Sequence, residues 1–162
     1  MNDETTVQQH YVTLVAFNHT AEIICDMHEV NGRLICDLPL ILSKLRSSGS
    51  TSFESALPKT CGALDKDIES LYPNVQRVNV FMTDGEITVG SKNINKLKSI
   101  YAHHESIPHI FVGFGAQHNS AMLRSLSETP KGSYYFIESI ENAGMVYGEI
   151  MHGCLHECLN EI

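Results

Sequence analysis

Positive charge is scarce in this 162-residue sequence, which has 11 lysines and arginines against 19 aspartates and glutamates and a formal net charge of −8. Proteins that bind nucleic acid or anionic lipid usually present a basic face that neutralises phosphates. The charge balance therefore argues against both kinds of partner. It favours binding of a cation or of a basic protein surface.

Long hydrophobic runs are absent too, since no stretch approaches the roughly 20 apolar residues that a membrane-spanning helix needs. The first ten residues, MNDETTVQQH, are polar and acidic, and they lack the basic and apolar regions of a signal peptide. We therefore expect no membrane association and a cytoplasmic protein, in which the 5 cysteines are reduced thiols.

Motifs of common enzymes are missing as well. The sequence contains no phosphate loop with Gly-Lys-Ser/Thr and no Gly-x-Ser-x-Gly nucleophile elbow. Residues 113–118, GFGAQH, begin like a dinucleotide-binding fingerprint but lack its third glycine. No spacing among the histidines, serines and acids selects a catalytic set. We therefore expect that the protein is not an enzyme.

Apolar runs alternate with helical patterns along the chain. Strands are predicted at 11–17, 21–27, 33–38, 75–82, 107–114 and 133–137, and helices from Pro39, over 53–69, 92–104, 120–127 and 139–162. Asn31-Gly32 is typical of a β-hairpin, and Pro58 is expected to kink its helix or delay its start. These patterns predict a single α/β domain over residues 1–162, with a mostly parallel central sheet, one antiparallel edge strand and helices on both faces.

Thr83-Asp84-Gly85 follows the predicted strand 75–82 directly. In open α/β sheets, ligands bind at the carboxyl ends of the strands, and the loop that contains Thr51 would reach the same end. A threonine hydroxyl and a carboxylate are oxygen donors that suit Mg²⁺, Mn²⁺ or Ca²⁺. Thr51 and Asp84 are therefore candidate metal ligands, with Gly85 giving a sharp turn and Glu86 nearby. The alternative is that Asp84 only caps its turn.

Four segments, in order and spacing, resemble the von Willebrand factor A (vWA) domain family. They are YVTLVAF at 11–17 with the polar hairpin after it, SGSTSFESAL at 48–57, RVNVFMTDGEITVG at 77–90, and the segment 108–144. These segments are similar to the family's second and third strands, its threonine loop and helix, its strand with the aspartate loop, and its last strands and helices. The resemblance covers nearly the whole chain from Tyr11 onward.

The resemblance implies a three-layer, Rossmann-like α/β fold and an adhesion-type module for protein–protein interaction. In this family a metal-ion-dependent adhesion site (MIDAS) takes ligands from the threonine and aspartate loops, which correspond to Thr51 and Asp84 here. The implied cofactor is Mg²⁺, or else Mn²⁺ or Ca²⁺. A carboxylate of a partner protein would complete the coordination.

One part of the family pattern is missing, namely the first strand with its Asp-x-Ser-x-Ser metal loop. The nearest match, residues 3–7 (DETTV), has the wrong last residue and leaves no room for a helix before Tyr11. In this family the first strand lies between the strands that correspond to 11–17 and 75–82, so both would lose a neighbour. We expect an N-terminally truncated domain; a segment supplied by another chain and a degenerate, closed-up domain are the alternatives.

With only two metal ligands left, the chain would bind a cation weakly or not at all. The alternative function is a metal-free scaffolding domain of the same family. A hydrolase or a zinc-binding protein that uses the histidines is less favoured than either.

Histidines and cysteines also cluster near the C terminus, at His152, Cys154, His156 and Cys158. On one straight helix the two histidines face one side and the two cysteines another, so a single tetrahedral zinc ion would not collect all four.

Two further pairs have simple interpretations. His103 and His104 are expected to point in different directions at a helix end, where positive charge is favourable. Cys25 and Cys36 would lie diagonally across the predicted hairpin, although reduced thiols are expected there.

Overall fold

The computed structural model describes residues 9–46, 49–68, 70, 72 and 75–160, with side chains up to Cys154. The strands in this part are β1 (Tyr11–Phe17), β2 (Ala21–Glu29), β3 (Asn79–Thr83), β4 (His109–Phe114) and β5 (Gly132–Ile137). The α-helices are α1 (Gly32–Leu42), α2 (Phe53–Leu64), α3 (Ile94–Tyr101), α4 (Ser120–Ser127) and α5 (Ile140–Asn160). A 3₁₀ turn, Ala102–His104, follows α3.

The strands form two sheets. β1 pairs with β2 in an antiparallel hairpin, and β3, β4 and β5 form a parallel sheet in that order. Among the described residues no strand joins the two sheets, so β1 and β3 each have an unpaired edge. The predicted α/β fold class is confirmed, with the antiparallel hairpin separate from the parallel sheet.

One face of the parallel sheet packs against α2, α3 and α4. Phe81 of β3 and Phe111 of β4 point into this layer, where they meet Leu57, Tyr101 and Leu126. The buried hydroxyl of Tyr101 donates a hydrogen bond to the carbonyl of Leu126 at 2.6 Å. This bond satisfies the one polar atom of a buried tyrosine and fastens α3 to α4.

The opposite face of the sheet packs against α5. Ile110 and Val112 alternate with Phe111 along β4, so their side chains point to this second layer. There they contact Val146 and Ile150 of α5. Burial of β4 on both faces explains its continuous apolar sequence.

The predicted hairpin at Asn31-Gly32 is wrong. Asn31 instead caps α1, where its side-chain oxygen accepts hydrogen bonds from the backbone N–H groups of Arg33 and Leu34 at 3.0 and 3.1 Å. Asparagine is favoured both in two-residue turns and at helix N-caps, so the dipeptide does not distinguish the two. Residues 33–38 are therefore helical, and the observed hairpin turn lies at residues 18–20.

Two other local predictions change for similar reasons. Cys25 lies buried in β2 and Cys36 is exposed on α1, both as free thiols, so the diagonal arrangement that depended on the hairpin does not exist. Pro39 lies inside α1, although we expected it at the start of a helix. Pro58 lies inside α2, which begins at Phe53, so the late start is wrong and the kink stays a prediction.

Replacement of Phe111 by alanine should unfold the protein at a much lower urea concentration. Phe111 is 0% exposed and its ring packs against those of Phe81 and Tyr101. Loss of a buried phenylalanine of this kind costs about 3–5 kcal/mol in free energy of unfolding.

The matched control is Phe136→Ala on the neighbouring strand, where the side chain is 46% exposed and the expected cost is about 1 kcal/mol or less. Equal losses for the two variants would contradict the assignment of Phe111 to the core.

Candidate functional site

Three loops meet at one end of the molecule, and we call them the site rim: residues 18–20, 49–52 and 84–91. The N–H of Ser52 donates to the carbonyl of Asn18 at 2.8 Å. The N–H of Thr51 donates to Oγ1 of Thr88 at 2.8 Å, and the carbonyl of Thr51 accepts from the N–H groups of Thr88 and Val89 at 3.0 and 3.2 Å. These bonds connect Ser52 to the loop after β1 and Thr51 to the loop after β3.

The start of α2 fixes Thr51 further. Ser52, which is buried, is the N-cap of the helix, and its Oγ accepts a hydrogen bond from the N–H of Ser55 at 3.3 Å. A serine at this position satisfies one of the free N–H groups of the first helical turn. Thr51 is half-buried immediately before it.

Asp84 lies exposed directly after β3. The buried hydroxyl of Thr83 accepts from the N–H of Gly85 and approaches its carbonyl oxygen, each at 3.3 Å, so this side chain closes the turn. The positive-φ glycines of the described chain are Gly49, Gly90 and Gly115, so the turn at Gly85 forms without a left-handed backbone conformation. The turn therefore depends on Thr83.

The structure brings the two candidate segments together. A Cβ added to Gly85 would lie 4.0 Å from Oγ1 of Thr51, which is an ordinary van der Waals distance. The hydroxyl of Thr51 is thus adjacent to the turn that carries Asp84. Glu86 is exposed on the same loop.

Glu54 in the first turn of α2 binds the rim loop 84–91, and sequence reasoning missed it. Its Oε2 accepts a hydrogen bond from the N–H of Ser91 at 2.8 Å, and its Oε1 lies 2.5 Å from Nζ of Lys96. The contact with Lys96, followed by that with Ser91, holds the pKa of Glu54 below its ordinary value. An acid in the first turn of α2 was visible in the sequence, but its partners lie far along the chain.

Gly90 allows this contact between loop and helix. Its φ is +84°, and an added Cβ would lie 3.0 Å from Oε2 of Glu54 and 3.1 Å from Oγ of Ser52. Only glycine combines that backbone conformation with so close an approach.

The GFGAQH segment, which begins like a dinucleotide fingerprint, has a packing role. A Cβ at Gly113 would overlap the imidazole of His118. Nε2 of that imidazole is 2.7 Å from the hydroxyl of Tyr134. The glycine makes room for this ring.

The other histidines and cysteines that we considered lie elsewhere. On α5, His152 is exposed and Cys154 is half-buried, while the side chains of His156 and Cys158 lie outside the described residues. His103 and His104 do not point apart as expected, because the Nε2 atoms of both approach the carboxylate of Asp65.

None of the helices in the described ranges combines the length and the hydropathy that crossing a bilayer requires.

The family model of the von Willebrand factor type A domain matches residues 3–148 of this sequence. Because the match covers most of the chain, the protein belongs to the vWA domain family, and the resemblance seen in the sequence is confirmed. No match is found among curated proteins.

Solved structures share this fold. A von Willebrand factor type A structure from Catenulispora acidiphila aligns with a TM-score of 0.70 and 13% identity, over 89% of this chain and 33% of that chain. Proximal thread matrix protein 1 (PTMP1) from the mussel byssus, with a zinc-occupied MIDAS motif, aligns with a TM-score of 0.63 and 17% identity, over 89% and 35%.

A second crystal form of PTMP1 aligns with a TM-score of 0.58 and 17% identity, over 89% of this chain and 34% of that chain. This chain thus spans about a third of the length of these matched chains. At such identities the likeness shows the fold alone.

Glu54→Gln should make the free energy of unfolding depend less on pH in the acidic range. Because the pKa of the folded-state carboxyl is lowered from 4.5, its contribution is present above that value and is lost as the pH falls below it. The variant should be less stable than wild type near pH 7, and the difference should shrink towards about pH 3. Urea unfolding of both proteins at a series of pH values measures this difference in free energy of unfolding.

Glu86→Gln, which changes an exposed acid of the rim loop that Glu54 contacts, is the matched control and should keep the wild-type dependence of stability on pH. If Glu54→Gln also kept that dependence, Glu54 would not be the group that ties the loop to α2.

Proposed function

We propose that this domain is a protein-interaction module, and not an enzyme, which binds a divalent cation through Thr51 and Asp84 and presents it to a carboxylate of a protein partner. Membership of the vWA family supports the interaction role, since domains of this family generally mediate protein–protein contacts. The observation that carries the metal site is that the Thr51 hydroxyl lies near the turn at Gly85, where an added Cβ would be 4.0 Å from Oγ1.

The donor atoms indicate the kind of ion. A hydroxyl and a carboxylate are hard oxygen ligands, which Mg²⁺, Mn²⁺ and Ca²⁺ prefer over thiolate or imidazole. The Asp84 carboxylate is exposed, and its own turn is closed by Thr83, so Asp84 is available to an ion. The net charge of −8 also favours a cation.

The proposed site needs further ligands, because two oxygen donors from a protein bind a hard cation only weakly. We propose that they come from a strand that fits between β1 and β3 and is followed by the family's Asp-x-Ser-x-Ser loop. The unpaired edges of β1 and β3 in the described chain support this arrangement. Such a strand would be the missing first strand of a truncated domain, or a segment of another polypeptide.

The second candidate function, a metal-free scaffolding domain, follows if that loop is never supplied. In that case the surface around the rim would bind its partner without an ion. In both cases the domain binds another protein, and only the role of Asp84 differs.

Isothermal titration with Mg²⁺ and Mn²⁺ tests the metal site. Because the chain supplies only two oxygen donors, wild-type protein should give weak binding heats, which Asp84→Ala abolishes and Thr51→Ala lowers further. Glu86→Ala, which removes an exposed acid of the same loop, should bind like wild type. Equal heats for wild type and Asp84→Ala would contradict the proposed site and favour the metal-free function.

A further inference from the structure

A second group of metal-binding side chains lies at the other end of α2. Asp65 is the C-cap of that helix, and His103 and His104 belong to the 3₁₀ turn after α3. Oδ1 of Asp65 is 3.6 Å from Nε2 of His103 and 3.2 Å from Nε2 of His104, and one ligand atom from each residue lies within 4.8 Å of the other two. A helix of 12 residues is about 18 Å long, so this cluster is well separated from Thr51.

We propose that Asp65, His103 and His104 form a site for a transition-metal dication, for which Zn²⁺ is the best-matched ion. Ligand atoms about 2.0–2.1 Å from a tetrahedral zinc ion lie about 3.3 Å from one another. The two distances from Asp65 lie on either side of this value. An ion placed between them would bring the three ligand atoms, which lie within 4.8 Å of one another, to about 3.3 Å apart.

The ligand atoms of this site favour different metal ions from those of the site rim. Imidazole nitrogens suit Zn²⁺, Ni²⁺, Co²⁺ and Cu²⁺, whereas Mg²⁺ and Ca²⁺ prefer oxygen ligands. Two imidazoles and one carboxylate leave a fourth tetrahedral position for water or for an outside ligand. Asp65 and His103 are each 57% exposed at the side chain, so an ion in solution can reach them.

The buried member of the cluster is His104. Its side chain is 8% exposed, and its Nε2 is a buried polar atom without a hydrogen-bond partner. A buried polar atom in this state costs free energy, and a bond to a metal ion would offset that cost. Nε2 points at the carboxylate of Asp65, which is where the ion would lie.

The second ring nitrogen of His104 is hydrogen-bonded in the way that is usual for histidines that bind metals. The backbone carbonyl of Cys61 accepts a hydrogen bond from His104, and because Nε2 has no such partner, Nδ1 is the donor. A ligating histidine usually donates its other N–H to a carbonyl or carboxylate in this way, which fixes the tautomer and aims the lone pair at the metal.

One nearby charge opposes the ion. Arg77 lies close to the cluster, because its guanidinium donates to the carbonyl of Leu64, the neighbour of Asp65, at 2.7 Å. The carboxylate of Asp65 carries the opposite charge and favours the ion. We therefore expect one ion per chain and an affinity below that of structural zinc sites with thiolate ligands.

Binding should also stabilise the fold. The ion would connect the end of α2 to the turn after α3, two helices that already contact each other through Cys61 and the carbonyl of Ile100. Any ion that binds the folded chain and not the unfolded one raises the unfolding temperature.

The experiment uses the whole chain, freed of metal with a chelator and titrated with Co²⁺ and with Zn²⁺. Wild type should develop the visible absorption of tetrahedral Co²⁺ at one equivalent, lose it on addition of Zn²⁺, and melt at a higher temperature with Zn²⁺. Excess Mg²⁺ should not remove the Co²⁺ spectrum. His103→Ala and Asp65→Asn should weaken Co²⁺ binding by at least about tenfold, since even changes behind a ligand cost 10–100-fold.

His103→Ala and Asp65→Asn are chosen because both side chains are exposed, and their metal-free melting checks that they fold. Two controls should bind Co²⁺ like wild type: His152→Ala, which removes an exposed histidine of α5, and Asp84→Ala, which removes the candidate ligand at the rim. Absence of the Co²⁺ spectrum in wild type would overturn the proposal. So would its persistence in His103→Ala and Asp65→Asn, or its loss in His152→Ala.

Discussion

Contacts between aromatic side chains hold the two sheets of this domain together. Phe53 of α2 lies 6.3 Å from Phe17 of β1 and 4.9 Å from Phe81 of β3, measured between ring centroids, and Phe17 and Phe81 are 5.0 Å apart. In the part of the chain that the structure describes, no backbone ladder joins β1 to β3, so these rings and the hydrogen bonds of the site rim set the relative position of the sheets. They also fix the first turn of α2, and with it Thr51.

Helix α2 connects two regions of different chemistry. At its N terminus, Thr51 and the turn at Asp84 offer hydroxyl and carboxylate oxygens. At its C terminus, Asp65 faces two imidazoles. Hard cations are therefore expected to prefer the N-terminal end of α2, and borderline cations such as Zn²⁺ the C-terminal end.

Local sequence signals predicted those parts of the fold that depend on near neighbours. The apolar strands β3 and β4, the short helix α4 and the Thr-Asp-Gly turn all follow from periodicity and turn chemistry, and they place Asp84 at a strand end. Asn31-Gly32 gave a wrong prediction of a hairpin, because asparagine is favoured both at helix N-caps and in hairpin turns. The approach of His103 to Asp65 could not be predicted from the sequence, because it depends on how α2 and α3 pack against each other.

The unpaired edges of β1 and β3 have a thermodynamic consequence. An extended segment that hydrogen-bonded to both edges would join the two separate sheets into one continuous ladder, whether the segment came from this polypeptide or from another. If it came from another molecule, the free energy of unfolding would contain a mass-action contribution and would rise with the concentration of that donor. The melting temperature of the domain would then be a property of a mixture and no longer of one chain.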